Sequence, residues 1–523
     1  MTEIEFKFQI PAGQLQALEK ELRRAKVART HMQARYFDTE DGALASNDVA
    51  LRLRKEGRRW VQTVKALGNG PLHRLEHNVD LGVARGGPPM ADARRHQGTP
   101  AGDRLDALLS HGEVPLIETF ATDIWRTTRN VRVGASTVEL ALDVGRVIAP
   151  AIGGRGGRPQ RVSPVCELEL ELVRGSVSEL AALAQRWSQR HGLWFSTMTK
   201  AERGERLREE QEEKDGSQTP SRAVKAKPPQ FAAGGDHKKG GLQVGAREVQ
   251  RAVLAACLAQ ILPNASEIAG GSDEAELIHQ LRVGIRRLRS ALRELDGLAP
   301  GLFDIAAWEP PLVDAFRDLG AQRDRDVLSA TLQPRLQEAG APLSELPPAP
   351  GEQKAPSPTE VVRKPRFQQL LVELMAFSAP SEVVGEAATG KAEADAVRRA
   401  LAERLNKLHR QLVRDGKRFE KLPTEKQHRA RKRLKRLRYL SEFVAPLFDR
   451  SKAERYVEHL LPAQDALGDY NDEVVAIDAY SSVAAQDPRA WFAVGWLRAQ
   501  CPEQAKACGK ALASLADARK FWK

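Results

Sequence analysis

Several short segments in the first two hundred residues alternate in period two: EIEFKF from Glu3, ALRLRK from Ala50, WVQTVK from Trp60, TVELALDV from Thr137 and CELELEL from Cys166. Successive side chains of a β-strand point to opposite faces, so this half of the chain is mainly strand. Parity then groups the charges. Glu3, Glu5 and Lys7 share a face, as do Arg52 with Arg54, Thr63 with Lys65, Arg74 with Glu76, Glu139 with Asp143, and Glu167 with Glu169 and Glu171. For any one strand a solvated outer face is the commonplace reading. Solvated faces mix Lys, Glu, Thr, Ser and Gln, whereas here arginine pairs and glutamate runs segregate by strand as if building opposed walls. A sheet closed into a barrel would put those walls around a lumen. There Arg and Lys can hold phosphate oxygens. Clustered carboxylates repel unless neutralised, and can hold a divalent cation, Mg²⁺ or Mn²⁺.

The alternation stops at 211–245, where EEKDG, SQTPSRAVKAKPPQ and GGDHKKGG form a stretch too polar and too rich in breakers for a packed core. Beyond it apolar residues recur at helical spacing, as in Leu277, Leu281, Ile285, Leu288, Leu292 and Leu295. At 523 residues the chain exceeds what one core usually serves. The expected architecture is an α+β antiparallel β-barrel over 1–208, a flexible linker over 209–245 and an all-α helical bundle over 246–515. The bundle repeats itself. HQLRVGIRRLR from His279 and HRARKRLKRLR from His428 are each followed by a Leu-Gly pair, ending at Gly320 and Gly468, and then by an acidic turn, DRDV or NDEV. Repeats over about 246–340 and 395–515 make a two-fold internal duplication.

A net charge of +12 attracts polyanions without choosing among them. Cys166, Cys257, Cys501 and Cys508 have no metal-type spacing and are too sparse for a disulfide framework. The start, MTEIEFKFQI, lacks the order of a signal peptide, and no apolar run approaches the roughly 20 residues that span a bilayer. A cytoplasmic protein without a membrane partner is expected.

The ordered set ExExK at the start, YFDT at Tyr36–Thr39, LRLR, TVK, ELALD, ELELEL and TKAERG at 199–204 resembles the CYTH, or triphosphate tunnel metalloenzyme, family over roughly residues 1–208. The resemblance implies an antiparallel tunnel that binds a triphosphate and a divalent metal. It implies Glu3, Glu5, Glu169 and Glu171 as metal ligands and catalytic groups, with Asp143 and, less directly, Glu139 and Glu167 assisting. It implies Lys7, Arg52, Arg54, Lys65, Arg126 and Lys200 on the triphosphate oxygens, with Arg74 a further candidate and Arg129 an alternative to Arg126. Asn78 departs from the pattern where an acidic residue is expected. The Gly-, Pro-, Ala- and Arg-rich insert 82–104 reads as a surface loop, and His31, His73, His77 and His111 as surface or loop residues without acid-base roles.

In the helical half His279, Arg282, Arg286, Arg289 and Arg293 form one stripe, and His428, Arg431, Lys435 and Arg438 its counterpart. A basic helix face is often only solvated. Like charges at this density cost helix stability, which points to an anionic partner. The repeats resemble the CHAD domain over roughly 246–515, which implies binding of inorganic polyphosphate by His279, Arg282, Arg286, Arg289, His428, Arg431, Lys435 and Arg438. Asp324, Asp326, Asn471 and Asp472 could serve as metal ligands, but their place after the Leu-Gly pairs favours capping, or pairing with arginines of the basic helices. At 5% aromatic residues, stacking groups for nucleic acid are scarce.

The expected function is a metal-dependent inorganic triphosphatase, converting PPPi to pyrophosphate and phosphate, with a polyphosphate-binding helical domain that could bring it to polyphosphate granules. A nucleoside or thiamine triphosphatase and an adenylate cyclase would use the same lumen. A non-catalytic polyphosphate-binding scaffold is the alternative of another class.

Overall fold

The computed structural model describes residues 2–67, 73–83, 87–109, 114–151, 160–212, 221–231, 242–347, 356–379 and 390–523, with the side chains of 2, 3, 67, 73, 74, 211, 212 and 321–327 outside the description. The chain divides into two compact units. One comprises Met1–Val224, Leu262–Ser272 and Val362–Glu382, and the other Lys225–Ile261, Asp273–Val361 and Val383–Lys523.

The first unit is built on strands β1 (Thr2–Gln9), β2 (Ala28–Asp38), β3 (Val49–Glu56), β4 (Arg59–Leu67), β5 (His73–Gly82), β6 (Ile117–Val133), β7 (Ser136–Ala149), β8 (Arg161–Arg174) and β9 (Trp194–Phe195). Their order is β5-β4-β3-β2-β6-β7-β8-β1-β9, and β1 also pairs with β5, so eight antiparallel strands close into the expected barrel with β9 appended to β1. Helices α1 (Leu15–Leu22), α2 (Ala43–Ser46), α3 (Pro100–Leu108), α4 (Val177–His191) and α5 (Lys200–Glu212) accompany them. The apolar face of β3 and β4, with Leu51, Val64 and Ala66, packs against Leu44 of α2 and Ala101 and Leu105 of α3. On β1 and β8, Phe6, Phe8, Leu168 and Leu170 are likewise buried. Because the apolar parity is covered from outside, the charged parity is left to the interior.

Ser176 caps α4 through the Glu179 N–H, and Gly192 ends it in the left-handed conformation. Gly204, in α5, is held to small size by packing. A Cβ there would lie 2.2 Å from the Phe120 ring, so only glycine lets α5 sit this close to the barrel.

The insert 82–104 is not simply a surface loop. Thr99 caps α3 through the Gly102 N–H, with Pro100 in the first turn. His96 is fully buried, with Nδ1 2.9 Å from Nδ1 of His77 and Nε2 2.8 Å from Gln62. His77 is therefore a strand residue packed under this cover. The Gly- and Pro-rich composition hid a Thr-Pro helix start, which is itself a legible signal.

Among the described residues ten further α-helices follow: α6 (Ala246–Gly270), α7 (Ala275–Leu295), α8 (Ile305–Asp318), α9 (Ala321–Glu338), α10 (Pro358–Arg363), α11 (Pro365–Ser378), α12 (Lys391–Gly416), α13 (Thr424–Val444), α14 (Arg450–Val483) and α15 (Ala490–Ala513). In the second unit α7 and α13, each 21 residues long, carry the two basic repeats and pack on one another. The repeats differ at the Leu-Gly pair. In the first, Leu319–Gly320 separates α8 from α9, while in the second, Leu467–Gly468 lies within the continuous helix α14; DRDV, inside α9, and NDEV, inside α14, are both helical rather than turns. One helix, α6, has an 18-residue window long and apolar enough to cross a membrane, contrary to the sequence expectation. That window is 72% buried within the protein, as a core helix would be.

Candidate active site

Barrel register sets the site. Directly opposed residues of an antiparallel ladder share a face. Gln9, Glu167, Asp143 and Arg126 form one row across β1, β8, β7 and β6. Lys7, Glu169 and Ala141 form the next, and Glu5, Glu171 and Glu139 the one after. Across β3, β4 and β5 the corresponding rows are Arg52, Thr63, Asn78 and Ala50, Lys65, Glu76. In the ring of eight, β3 and β8 are four strands apart in either direction, so the arginine strand and the glutamate strand face each other across the lumen.

On the acidic wall, carboxylate oxygens of Asp143, Glu167 and Glu169 lie within 4.8 Å of one another. Asp143 and Glu167 are buried, and Glu169 nearly so. Such a cluster survives only when neutralised, and two cations do this. The Lys200 ammonium lies 2.8 Å from Asp143 and 2.9 Å from Glu169 and also contacts Glu167. Arg126 donates from Nε and Nη2 to the two oxygens of Asp143, at 2.7 and 2.6 Å, and from Nη2 also to Glu169. Burial alone would raise the Asp143 and Glu169 carboxyl pKa values. Lys200 and Arg126 outweigh it, holding Asp143 below and Glu169 well below the ordinary range. Burial would lower the Lys200 pKa, and Asp143, Glu167 and Glu169 instead hold it well above its ordinary value.

The basic wall is less well paired. Arg52 donates to the Tyr36 hydroxyl at 3.3 Å, and Arg54 meets Glu56. Among the described residues, the Nε groups of Arg52 and Arg54 are buried with no hydrogen-bond partner. Burial and the neighbouring Arg52 push the Arg54 pKa down to about 10. Two crowded guanidiniums, each with a buried donor unspent, are groups an anion would stabilise. Lys65 pairs with Glu76 at 2.5 Å. Asn78 accepts from Thr63 and donates to Glu76, both at 2.7 Å, so the departure at Asn78 serves to orient Glu76.

Three expected residues stand apart. Arg129 donates to the Glu21 carbonyl at 3.1 Å, away from the row that Arg126 occupies. Glu3 and Arg74 are partners in the β1–β5 ladder, but their side chains lie outside the described residues. Sequence reasoning missed other contributors. Lys7 donates to the Met198 carbonyl, and the Ser196 N–H donates to the Lys7 carbonyl at 2.9 Å, so the segment leading to Lys200 is tied to β1. That segment is held in turn by Gln368, which accepts from the Phe195 N–H at 2.7 Å, and by Ser266, which accepts from the Thr197 N–H at 3.0 Å. The Arg363 guanidinium covers the Trp194 ring at 3.7 Å. Tyr36 lies in the YFDT segment, and only the β2–β3 register sets it opposite Arg52, while nothing local marks Gln368 or Ser266.

The stripe residues of the second unit are placed unevenly. Arg282 is buried, with its guanidinium 4.7 Å over the Phe316 ring, and Arg286 lies 5.6 Å from the same ring. Arg289 pairs with Glu309 at 3.0 Å and Arg438 with Glu442 at 2.8 Å. His279, Arg431 and Lys435 are half-buried and His428 is exposed, bonded to the Asn471 side chain. Asp472 is exposed and accepts from Asn471 at 3.3 Å, and the side chains of Asp324 and Asp326 lie outside the description.

This arrangement defines a tunnel with opposed basic and acidic walls, and residues 1–204 match the CYTH domain model. Residues 252–481 match the CHAD domain model, so the chain joins a CYTH domain to a CHAD domain. An inorganic triphosphatase of Haemophilus influenzae is 29% identical over 175 residues, 32% of this chain and 44% of that protein. The chain thus spans under half the length of the curated relative it matches. The CHAD domain of the plant Ricinus communis is 26% identical, with a TM-score of 0.44, over 57% of this chain and 97% of that one. A Hippeastrum protein whose structure reveals a dominant triphosphatase activity is 16% identical, with a TM-score of 0.26, over 38% and 93%. CYTH triphosphate tunnel enzymes are metal-dependent. Three close carboxylates offer the hard oxygen donors that Mg²⁺ and Mn²⁺ prefer.

Proposed function

We propose that the barrel hydrolyses a triphosphate, with inorganic triphosphate as its substrate, and that the protein is a hydrolase acting on phosphoanhydride bonds. The observation that carries the proposal is the half-buried, donor-rich pair Arg52 and Arg54, each with a buried Nε that has no partner, standing across the lumen from Asp143, Glu167 and Glu169. A linear triphosphate presents oxygens along its whole length and needs no pocket for a base or ring.

Asp143, Glu167 and Glu169 would hold a divalent cation, with Glu3, Glu5 and Glu171 on the adjoining rows. When bound, Mg²⁺ or Mn²⁺ supplies Lewis-acid polarisation of a phosphoryl oxygen and a water of lowered pKa. Lys200 and Arg126, now spent on the carboxylates, would be released to the triphosphate as the cation takes over neutralisation. Arg52, Arg54 and Lys65 hold the non-reacting phosphates, and Lys7, fixed by the Met198 carbonyl, sits between the walls. Water adds to the terminal phosphorus, the bridging P–O bond breaks, and pyrophosphate leaves with its developing charge against arginine.

Phosphate release from PPPi, ATP, thiamine triphosphate and long polyphosphate, with and without Mg²⁺, tests this for the wild type and Glu169→Ala. PPPi should be the best substrate, and inactivity on all four would sink the reading. The basic helices α7 and α13 are proposed to bind inorganic polyphosphate. In the full chain, His279→Ala with Arg286→Ala should weaken that binding and flatten its salt dependence, and unchanged affinity counts against the assignment.

A further inference from the structure

Lys200, the counter-charge of the acidic wall, is the first residue of α5, and helix ends fray unless they are tied down. Thr199 supplies one tie, since its hydroxyl accepts from the Glu202 N–H at 3.0 Å. Others come from the C-terminal turns of α6, from Leu262 onward, which belong to the same compact unit as the barrel strands.

Two adjacent residues of α6 grip the chain on either side of Lys200. Before it, the buried Ser266 hydroxyl accepts from the Thr197 N–H at 3.0 Å and lies 3.4 Å from the Ser196 hydroxyl. The Ser196 hydroxyl in turn accepts from the Met198 N–H at 3.3 Å. After it, Glu267 accepts from both Nη groups of Arg206, at 2.8 and 2.6 Å, and Arg206 also pairs with Glu202 one turn back. The Arg206 and Glu267 side chains are only 14% and 15% exposed, so water screens this pair less than a surface one. Arg363 fixes the end of α6 itself. It donates from Nε and Nη2 to the Ala269 carbonyl, at 2.8 and 2.6 Å, while its guanidinium covers Trp194. Packing of α6 here is carried by Ala265, Ile268 and Ala269, all buried, and the polar pair is directed at the segment around Lys200.

We infer that the end of α6 is a clamp, in which Ser266 and Glu267 are positioning residues that hold Lys200 at the acidic wall. With the backbone fixed on both sides, the ammonium meets Asp143, Glu167 and Glu169 at little further entropic cost. A divalent cation must displace that ammonium to reach the same oxygens, so a firm clamp opposes the cation. The same firmness presents the ammonium ready-placed to a triphosphate, which favours the substrate. Loosening the clamp therefore moves the two affinities in opposite directions, whereas simple disordering of the barrel lowers both. The substrate half of the inference rests on the triphosphatase reading, and the cation half rests on the carboxylates alone.

The test compares full-chain wild type with Ser266→Ala and with Glu267→Gln, which act on opposite sides of Lys200. In metal-free buffer, a lysine-directed acylating reagent read by mass spectrometry should modify Lys200 about fivefold faster in each variant, the scale of losing one hydrogen bond. Mn²⁺, followed by the electron paramagnetic resonance of the free ion, should bind about threefold more tightly. The KM for PPPi should rise about fivefold with kcat little changed, as expected for a contact made equally in the ground and transition states. Unchanged Lys200 acylation and Mn²⁺ affinity in both variants overturn the clamp. Weaker Mn²⁺ binding also overturns it, because that is the mark of a damaged carboxylate wall. Failure of the wild type to hydrolyse PPPi sinks the triphosphatase reading instead, and Lys200 acylation then decides the clamp by itself.

Discussion

The barrel and the helical unit both carry dense charge, and they dispose of it differently. In the barrel, strand parity sends every charged side chain of a face into one enclosed space, so opposite signs gather on opposite walls and are neutralised deep inside, as Lys200 is among Asp143, Glu167 and Glu169. On α7 and α13 the stripe curves around a cylinder. Arg282 turns inward against Phe316, while Arg289 and Arg438 find surface glutamates. Similar residue types therefore make a converging site in one region and a distributed surface in the other. A closed sheet focuses charge, whereas a helix spreads it.

The sharpest way to break this contrast is Glu169→Gln, which keeps the shape and removes the charge at the point where Arg126 and Lys200 meet. Turnover of PPPi should fall about 10²–10³-fold, the scale of losing one preorganised electrostatic group in an enclosed site. A steady-state assay at saturating Mg²⁺ measures it. A fall of less than tenfold would mean the convergence is structural.

Lys200→Ala tests the neutralisation itself. Removing one partner of a buried ionic cluster costs about 3–5 kcal/mol, so the variant should unfold at lower denaturant than wild type in EDTA and recover when Mg²⁺ is added. Equal stability in EDTA would show that Lys200 is not the counter-charge. The wild type adds a pH signature. Asp143 and Glu169 have folded-state pKa values below their ordinary 3.8 and 4.5. Each therefore contributes stability that is fully present above those values and is lost as pH falls through the lowered pKa. Metal-free stability at the barrel should hold to near pH 4.5 and decline beneath it, and in Glu169→Gln the decline should be shallower.

Gln368→Ala acts one step further out. It leaves the Phe195 N–H and the Val362 carbonyl without the bonds they have now, and loosens the segment that carries Met198 and Lys200. A small misplacement of positioned groups should lower kcat/KM about tenfold, mostly through KM. Gln368→Glu, which retains the acceptor for Phe195, should recover part of the loss. An unchanged KM would mean that the Lys7 and Lys200 tethers suffice alone.

These sites mark what sequence can and cannot carry. The barrel was legible because a period of two assigns Glu5, Lys7, Arg52, Arg54, Lys65, Glu167, Glu169 and Glu171 to faces without further information, and closure follows from segregation. Which carboxylates meet was not legible. Asp143, Glu167 and Glu169 converge because the register sets Glu167 against Asp143 and places α5 over them, and register depends on pairings between distant strands. Gln368 and Ser266 lie beyond the polar stretch 211–245, in helices whose local pattern is ordinary. The two-fold repeat was visible as spacing, but the continuity of α14 through Leu467–Gly468 was not, since glycine is tolerated inside a helix at a cost of only ~1 kcal/mol.

The smallest effect belongs to the distributed side of the comparison. Arg289 meets Glu309 at 3.0 Å with both side chains about a third exposed, so solvent screens the pair and the side-chain entropy lost in forming it offsets much of the gain. Arg289→Ala should cost less than about 1 kcal/mol of stability in a denaturant titration. If the stripe contacts polyphosphate, Arg289 must first leave Glu309. Glu309→Gln should then strengthen polyphosphate binding slightly, while Arg289→Ala weakens it by no more than a few-fold at moderate salt, because one released cation among several contributes only its share of the counterion release. A loss at Arg289 as large as that at Glu169 would mean that the helical unit also focuses its charge, and the contrast drawn from strand and helix geometry would fail there.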